Sequence, residues 1–221
     1  MKLTLNKSNN RRSIHEISNY ETVKDFNKLW HEQTEVSLLG RLVFKIDRKK
    51  IFSFLKYTDL TFNSKIIDVG CGTGSTLKLF RKYGYNNSIG IDAAKSSIKL
   101  CERNGLRRNK DIFLIDVNSN NLKNNFDLVF AEGVIEHYVD IQPIVDSICR
   151  ISKKYVLTTM PDLSSFYWYI FEIGLKILKR KHAKDYQHEE AEYINAFKNA
   201  GFEPVKTGKL FFGWVMLFKR K

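Results

Sequence analysis

The sequence predicts an α/β fold, a doubly wound and mainly parallel seven-stranded sheet whose last strand runs antiparallel. Three observations predict it. Between residues 65 and 160, short apolar runs alternate with helical stretches, the rhythm of parallel strands joined by right-handed crossovers. One of those runs ends in an acid and passes straight into glycines at 70, 72 and 74, which lets the backbone turn tightly and approach a ligand. The chain then closes with two strand-like segments joined by a connection too short for a crossover, so they must lie antiparallel.

Taken in order, the first twenty residues are polar and read as a tail. A helix is expected from about Tyr20 to Gln33, with Val23, Phe26, Leu29 and Trp30 on one face. A second is expected from about Leu39 to Tyr57, with Val43, Phe44, Ile51, Phe54 and Leu55 inward and Arg41, Lys45, Arg48 and Lys49 toward solvent. Strands follow at Lys65–Val69, Ser88–Ile91, Ile112–Ile115, Asp127–Ala131 and Tyr155–Thr159, each an apolar run suited to a sheet covered on both faces. Between them, Ser75–Tyr83, Ala94–Asn104 and Ile141–Ile151 read as helices, the first two closed by Gly84 and Gly105. An aromatic stretch, Ser165–Leu178, is followed by a helix over His188–Ala200 capped by Gly201. Strands at Glu203–Thr207 and Leu210–Lys219 then flank a turn at Gly208-Lys209. The expected organisation is one domain, 1–221: an N-terminal helical cap (1–60), a core (61–160), an insertion (161–187) and a C-terminal helix with two strands (188–221).

Composition narrows the class. With 221 residues, 43% of them hydrophobic and spread along the chain, the protein has material for a full core, and disorder is excluded. Cys71, Cys101 and Cys149 are odd in number and widely spaced, which excludes a disulfide scaffold and a cysteine-built zinc site. The net charge of +13 divides into +5, +3 and +5 over residues 1–60, 61–165 and 166–221, so no block marks a nucleic-acid surface. The polar start offers no apolar signal segment and the apolar run from Phe166 to Leu178 is too short to span a bilayer, so a cytoplasmic location is expected.

The chemistry is concentrated at strand ends. Lys65-Ile-Ile-Asp-Val-Gly-Cys-Gly-Thr-Gly-Ser75 has the register G-x-G-x-G, and Ser75 stands where a dinucleotide-binding loop would carry its third glycine. Asp92, followed by Ala93, closes the next strand 24 residues after Asp68, where a carboxylate can accept both ribose hydroxyls of a nucleoside. Asp116, followed by Val117, closes the third, where an acid can take the exocyclic amine of adenine beside an apolar ring contact.

Four motifs stand in order: Ile66-Ile-Asp-Val-Gly-Cys-Gly-Thr-Gly74, Ile89-Gly-Ile-Asp92, Ile115-Asp-Val117 and Phe126-Asp-Leu-Val-Phe-Ala-Glu-Gly-Val-Ile-Glu-His137. In these the sequence resembles the class I S-adenosylmethionine-dependent methyltransferases of the small-molecule and quinone type. The resemblance implies a Rossmann-like methyltransferase fold, S-adenosyl-L-methionine as the cofactor, and N-terminal helices covering its cleft. It further implies that Gly70, Cys71 and Gly72 pass under the methionine and ribose, and that Asp68 orients that loop or holds the amino group through water. Asp92 with Ala93 would hold the ribose, Asp116 and Val117 the adenine, and Glu132 with Gly133 would line the methyl-donor cleft. His137 lies just past the fourth strand, where an imidazole can act as base, touch a ligand or make a structural hydrogen bond.

The residues after the fourth strand, Ala131-Glu-Gly-Val134, lack the Asn/Asp-Pro-Pro-aromatic signature of base-directed amino methyltransferases, and no cysteine stands there for cytosine chemistry. The resemblance implies as acceptor a hydroxyl on a small apolar or lipid-linked molecule, with a carbon or nitrogen acceptor left open. The readings set beside it are an RNA-directed methyltransferase, motivated by charge, and a non-catalytic cofactor-binding protein. The segment 165–181 joins an aromatic block to Lys176, Lys179, Arg180 and Lys181, and can cover an acceptor pocket, complete the core or rest on a membrane surface. No metal is expected, although His182 and His188 lie near Asp185 and Glu189.

Overall fold

The computed structural model describes residues 38–118, 122, 125–177 and 185–221. The helix expected over Tyr20–Gln33 lies outside them. The described chain begins with helix α1 (Leu38–Ser53) and a 3-10 turn at Phe54–Tyr57. It continues through β1 (Ile66–Val69), α2 (Ser75–Lys82), β2 (Ser88–Asp92), α3 (Lys95–Arg103), β3 (Ile112–Leu114) and β4 (Phe126–Ala131). A 3-10 turn at Ile135–His137 leads to α4 (Gln142–Ile151), β5 (Ser152–Pro161), α5 (Phe166–Ile177), α6 (Glu190–Asn199), β6 (Phe202–Lys209) and β7 (Gly213–Arg220).

The seven strands form one sheet in the order β3-β2-β1-β4-β5-β7-β6. The first five are mutually parallel, and β7 pairs antiparallel with both β5 and β6. All four side chains of β1 are buried, as a central strand covered on both faces requires. One face is filled by Ile67, Val129, Val156, Ile144, Ile148 and Phe197 with their neighbours, the other by Ile51, Phe54, Ile66, Phe80, Leu128 and Leu157.

The register creates a ligand crevice. The sheet grows outward from β1 in one direction through β2 and β3, and in the other through β4 and β5, so β1 and β4 flank a topological switch point. Val69 is aligned with Ile91 on one side and with Ala131 on the other. The residues just beyond them, Gly70–Thr73, Asp92–Ala93 and Glu132–Gly133, therefore emerge along a single rim.

Two details depart from the sequence reading. The last hairpin turns at Leu210–Phe212, and Gly208 stays within β6. A side chain at Gly208 would meet the Phe54 ring at 2.8 Å, and the Phe211 N–H is taken by the buried Asp47 carboxylate at 3.1 and 3.2 Å. Packing against α1 and the 3-10 turn that follows it thus moves the hairpin turn. Arg48, expected in solvent, instead faces the crevice, whereas Lys45 and Lys49 are exposed as expected. Arg48 lies three residues before Ile51 and four after Phe44, so helical geometry sets it on the inward stripe.

Gly213 pairs with Pro161 across β5 and β7, and a Cβ there would sit 2.7 Å from the Pro161 Cα as well as against the Met160 carbonyl. Both neighbours are backbone and cannot rotate away. Gly213→Ala is expected to destabilise the fold by about 3 kcal/mol, the upper range for overpacking. Chemical denaturation checks this, and an unchanged midpoint would mean that the β5–β7 pair yields at low cost.

Candidate functional site

The rim opens into a cavity of about 360 Å³. Its walls include Asp68, Gly70, Cys71, Gly72, Asp92, Ala93, Asp116, Val117, Glu132, Gly133 and His137, so every site residue expected from the sequence comes to one place. The volume lies within the usual range for small-ligand pockets.

The glycine loop is fixed by its neighbours. Cys71 N–H donates to the Ile91 carbonyl at 3.0 Å, and Gly72 N–H donates to Asp92 Oδ2 at 2.9 Å. Gly70 has φ +68°, and a Cβ on it would come within 2.6 Å of Val134 Cγ2. A side chain at this position would be strained and would crowd the crevice. The Cys71 thiol is pushed well above its ordinary value by the adjacent Cys101 thiol and by burial, which keeps it protonated at neutral pH.

Four carboxylates line the crevice. Asp68 is buried, and its Oδ2 has no hydrogen-bond partner among the described residues. Burial, then the nearby Glu132 charge, raise its pKa well above the carboxylate range, with Arg48 acting the other way. Asp92 accepts the Ala94 N–H through Oδ1 at 2.8 Å in addition to Gly72. Burial pushes it up to about 6, although those two N–H groups favour the charged form. Asp116 accepts the Asn118 N–H at 2.9 Å and is raised by burial. Glu132 Oε2 accepts the Thr76 hydroxyl at 3.3 Å and lies 3.6 Å from Arg48 Nη2.

At the other end of the crevice, His137 Nδ1 is 2.9 Å from Asp185 Oδ1, with both side chains largely buried. A carboxylate oxygen can only accept there, so Nδ1 carries a proton, and in the neutral ring the lone pair belongs to Nε2. Asp185 is held in place by the chain after it. Tyr186 N–H donates to the Glu136 carbonyl at 2.8 Å, and His188 Nε2 lies 2.9 Å from the Tyr138 carbonyl. The second nitrogen of His188 meets Glu192 at 2.9 Å, so the described metal candidate has both ring nitrogens engaged by protein. His182 lies outside the described residues.

Sequence reasoning missed Arg48 and Asp185. The first was legible in the i+4 and i−3 spacing from Phe44 and Ile51. The second had no local signal, because residue 185 reaches residue 137 only through the tertiary fold.

The sheet order, switch point and glycine-lined rim define a doubly wound α/β protein with a Rossmann-like ligand crevice. A family model described as a methyltransferase domain matches residues 67–156 of this chain, the stretch that carries the glycine loop and the strand-end acids. A ubiquinone biosynthesis O-methyltransferase of Idiomarina loihiensis is 26% identical over 113 residues, which are 49% of this chain and 46% of that protein. A ribosomal protein L11 methyltransferase of Thermotoga petrophila is 23% identical over 143 residues, 63% of this chain and 53% of that one. The chain thus spans about half the length of these curated relatives. Among solved structures, magnesium protoporphyrin IX methyltransferase from Synechocystis PCC 6803 with bound SAH superposes with a TM-score of 0.66. It has 15% identity, covering 95% of this chain and 100% of that chain, a likeness of fold. The acceptors in these three names differ.

Proposed function

We propose that the protein transfers a methyl group from S-adenosylmethionine to a hydroxyl of a small apolar or lipid-linked acceptor. The observation that carries the donor assignment is the pairing of a Cβ-free cradle at Gly70 with the buried Asp68 carboxyl, whose Oδ2 has no hydrogen-bond partner among the described residues. An amino-acid tail offers an ammonium for such an acid and a carboxylate for Arg48, while Asp92 and Asp116 lie along the rim for a ribose and a base. When bound, S-adenosylmethionine supplies a methyl group already activated by its sulfonium.

The chain's own residues then have three tasks. Asp68, Gly70 and Gly72 fix the tail and the loop under it, and alignment of this kind is the main catalytic lever in group transfer. Arg48, reaching over from α1, closes the rim toward Glu132. His137 accepts the proton released by the acceptor hydroxyl at Nε2, and Asp185 is the positioning residue that holds its tautomer. The hydroxyl assignment draws on the resemblance to quinone-type enzymes and on the O-methyltransferase relative, and His137 gives it a base.

Incubation with methyl-labelled donor and separated lipid, small-molecule and RNA fractions of the source cells tests this reading. Label is expected in an organic-soluble product that behaves as a methyl ether. Label in RNA would favour the RNA-directed alternative, and donor binding without any transfer would favour a non-catalytic role.

A further inference from the structure

Helix α5 turns an apolar face outward. Phe166, Tyr169, Ile170, Ile173 and Ile177 are between 39% and 75% exposed. At 3.6 residues per turn they fall within an arc of about 100°, a continuous stripe along the helix. Another side of the helix faces the protein, where Tyr167 meets the Phe211 ring edge-on at 5.2 Å, and the first turn is capped by Ser165 Oγ, which accepts the Trp168 N–H at 3.1 Å. The stripe lies away from that contact, and monomeric proteins seldom expose contiguous apolar area of this kind without using it.

Charge indicates what covers it. Exposed Lys176 borders the stripe, and the sequence beyond the helix continues with Lys179, Arg180 and Lys181. The one acid in the helix, Glu172, is half-buried and stands well off the stripe. Apolar side chains on one face, with Lys176 at their edge and three more cations following in the sequence, match an anionic lipid surface, where apolar groups enter the headgroup boundary and cations meet phosphates. Twelve residues give a helix of about 18 Å, which suits lying in that plane, and no helix among the described residues is long and apolar enough to cross a membrane.

We infer that α5 docks the protein on anionic membrane surfaces. The helix begins just past Pro161, at the end of β5 that borders the crevice rim. The Leu163 N–H donates to Gln187 Oε1 at 2.9 Å, within the segment that carries Asp185. Docking through α5 brings the acceptor end of the crevice next to the lipid surface. The docking itself does not rest on the methyl-transfer reading.

Co-sedimentation of the full chain with phosphatidylcholine vesicles, with and without about 30% phosphatidylglycerol, tests the inference. Binding to the anionic vesicles is expected, weakening as salt rises, with little binding to phosphatidylcholine alone. The double variant Ile170→Glu with Ile177→Glu should bind those vesicles at least about tenfold more weakly. Both positions are exposed, so its affinity for S-adenosylhomocysteine should match the wild type and report an intact fold. Absent binding at low salt would overturn the inference, as would equal binding by the double variant. A concentration-dependent dimer that the double variant abolishes would also overturn it, giving the stripe to a second copy of the chain.

Discussion

Asp92→Ala is expected to weaken S-adenosylmethionine binding by about 1–3 kcal/mol, the usual cost of leaving ribose hydroxyls unpaired in a site built to receive them. The loss has two sources, because Asp92 also accepts the Gly72 and Ala94 N–H groups that set the loop. Asp92→Asn separates them: its amide oxygen can still receive one N–H, so the loop should hold better than in the alanine variant while the charge is lost. Burial raises the Asp92 carboxyl to about 6, so in the wild type donor affinity should fall as pH drops from 7 to 5 and the carboxylate takes a proton. The effect on folding has the opposite sign. An acid whose folded pKa exceeds its unfolded value costs stability when ionised, a cost absent near pH 4 and complete above about 6. Asp92→Ala should shrink the pH dependence of binding without abolishing it, since Asp68 is raised in the same direction. Calorimetry at several pH values checks both points, and unchanged affinity in the alanine variant would refute the ribose assignment.

His137→Ala is expected to lower kcat by about 10²- to 10⁴-fold with donor affinity unchanged, as removal of a general base does. Asp185→Asn should lower kcat by a smaller factor and leave KM for the donor alone, because the carboxylate acts only through the imidazole 2.9 Å away. Asp185→Glu should recover part of that loss, whereas a purely packing role would not distinguish the two replacements. The reaction rate under saturating donor is the readout. A His137→Ala enzyme of normal kcat would return His137 to a structural role in the 3-10 turn after β4.

The parallel core was legible because each strand is a short apolar run and each helix between them carries its own period and stop. Ile66 to Val69 and Phe126 to Ala131 appear where the pattern set them, and strand-end acids are the residues that the register then gathers. The features that escaped depend on contacts between distant segments. The turn at Leu210–Phe212 is set by Asp47, 164 residues earlier, and by the Phe54 ring against Gly208, and neither partner is visible in a local window. Arg48 was misplaced for a different reason. A charged residue within an apolar stripe was read by its chemistry when its spacing gave the answer. Asp185 belongs to a charged stretch where acids are common, and only the closed fold distinguishes it from its neighbours.

The central claim is that the crevice between β1 and β4 is built for a sulfonium nucleoside. Calorimetric titration of the purified protein with S-adenosylmethionine, S-adenosylhomocysteine and NADH tests it most directly. Micromolar binding of both sulfur ligands with one site per chain, and none of NADH, is the predicted result. Binding of NADH with no response to either sulfur ligand would contradict it and return the glycine loop to dinucleotide chemistry.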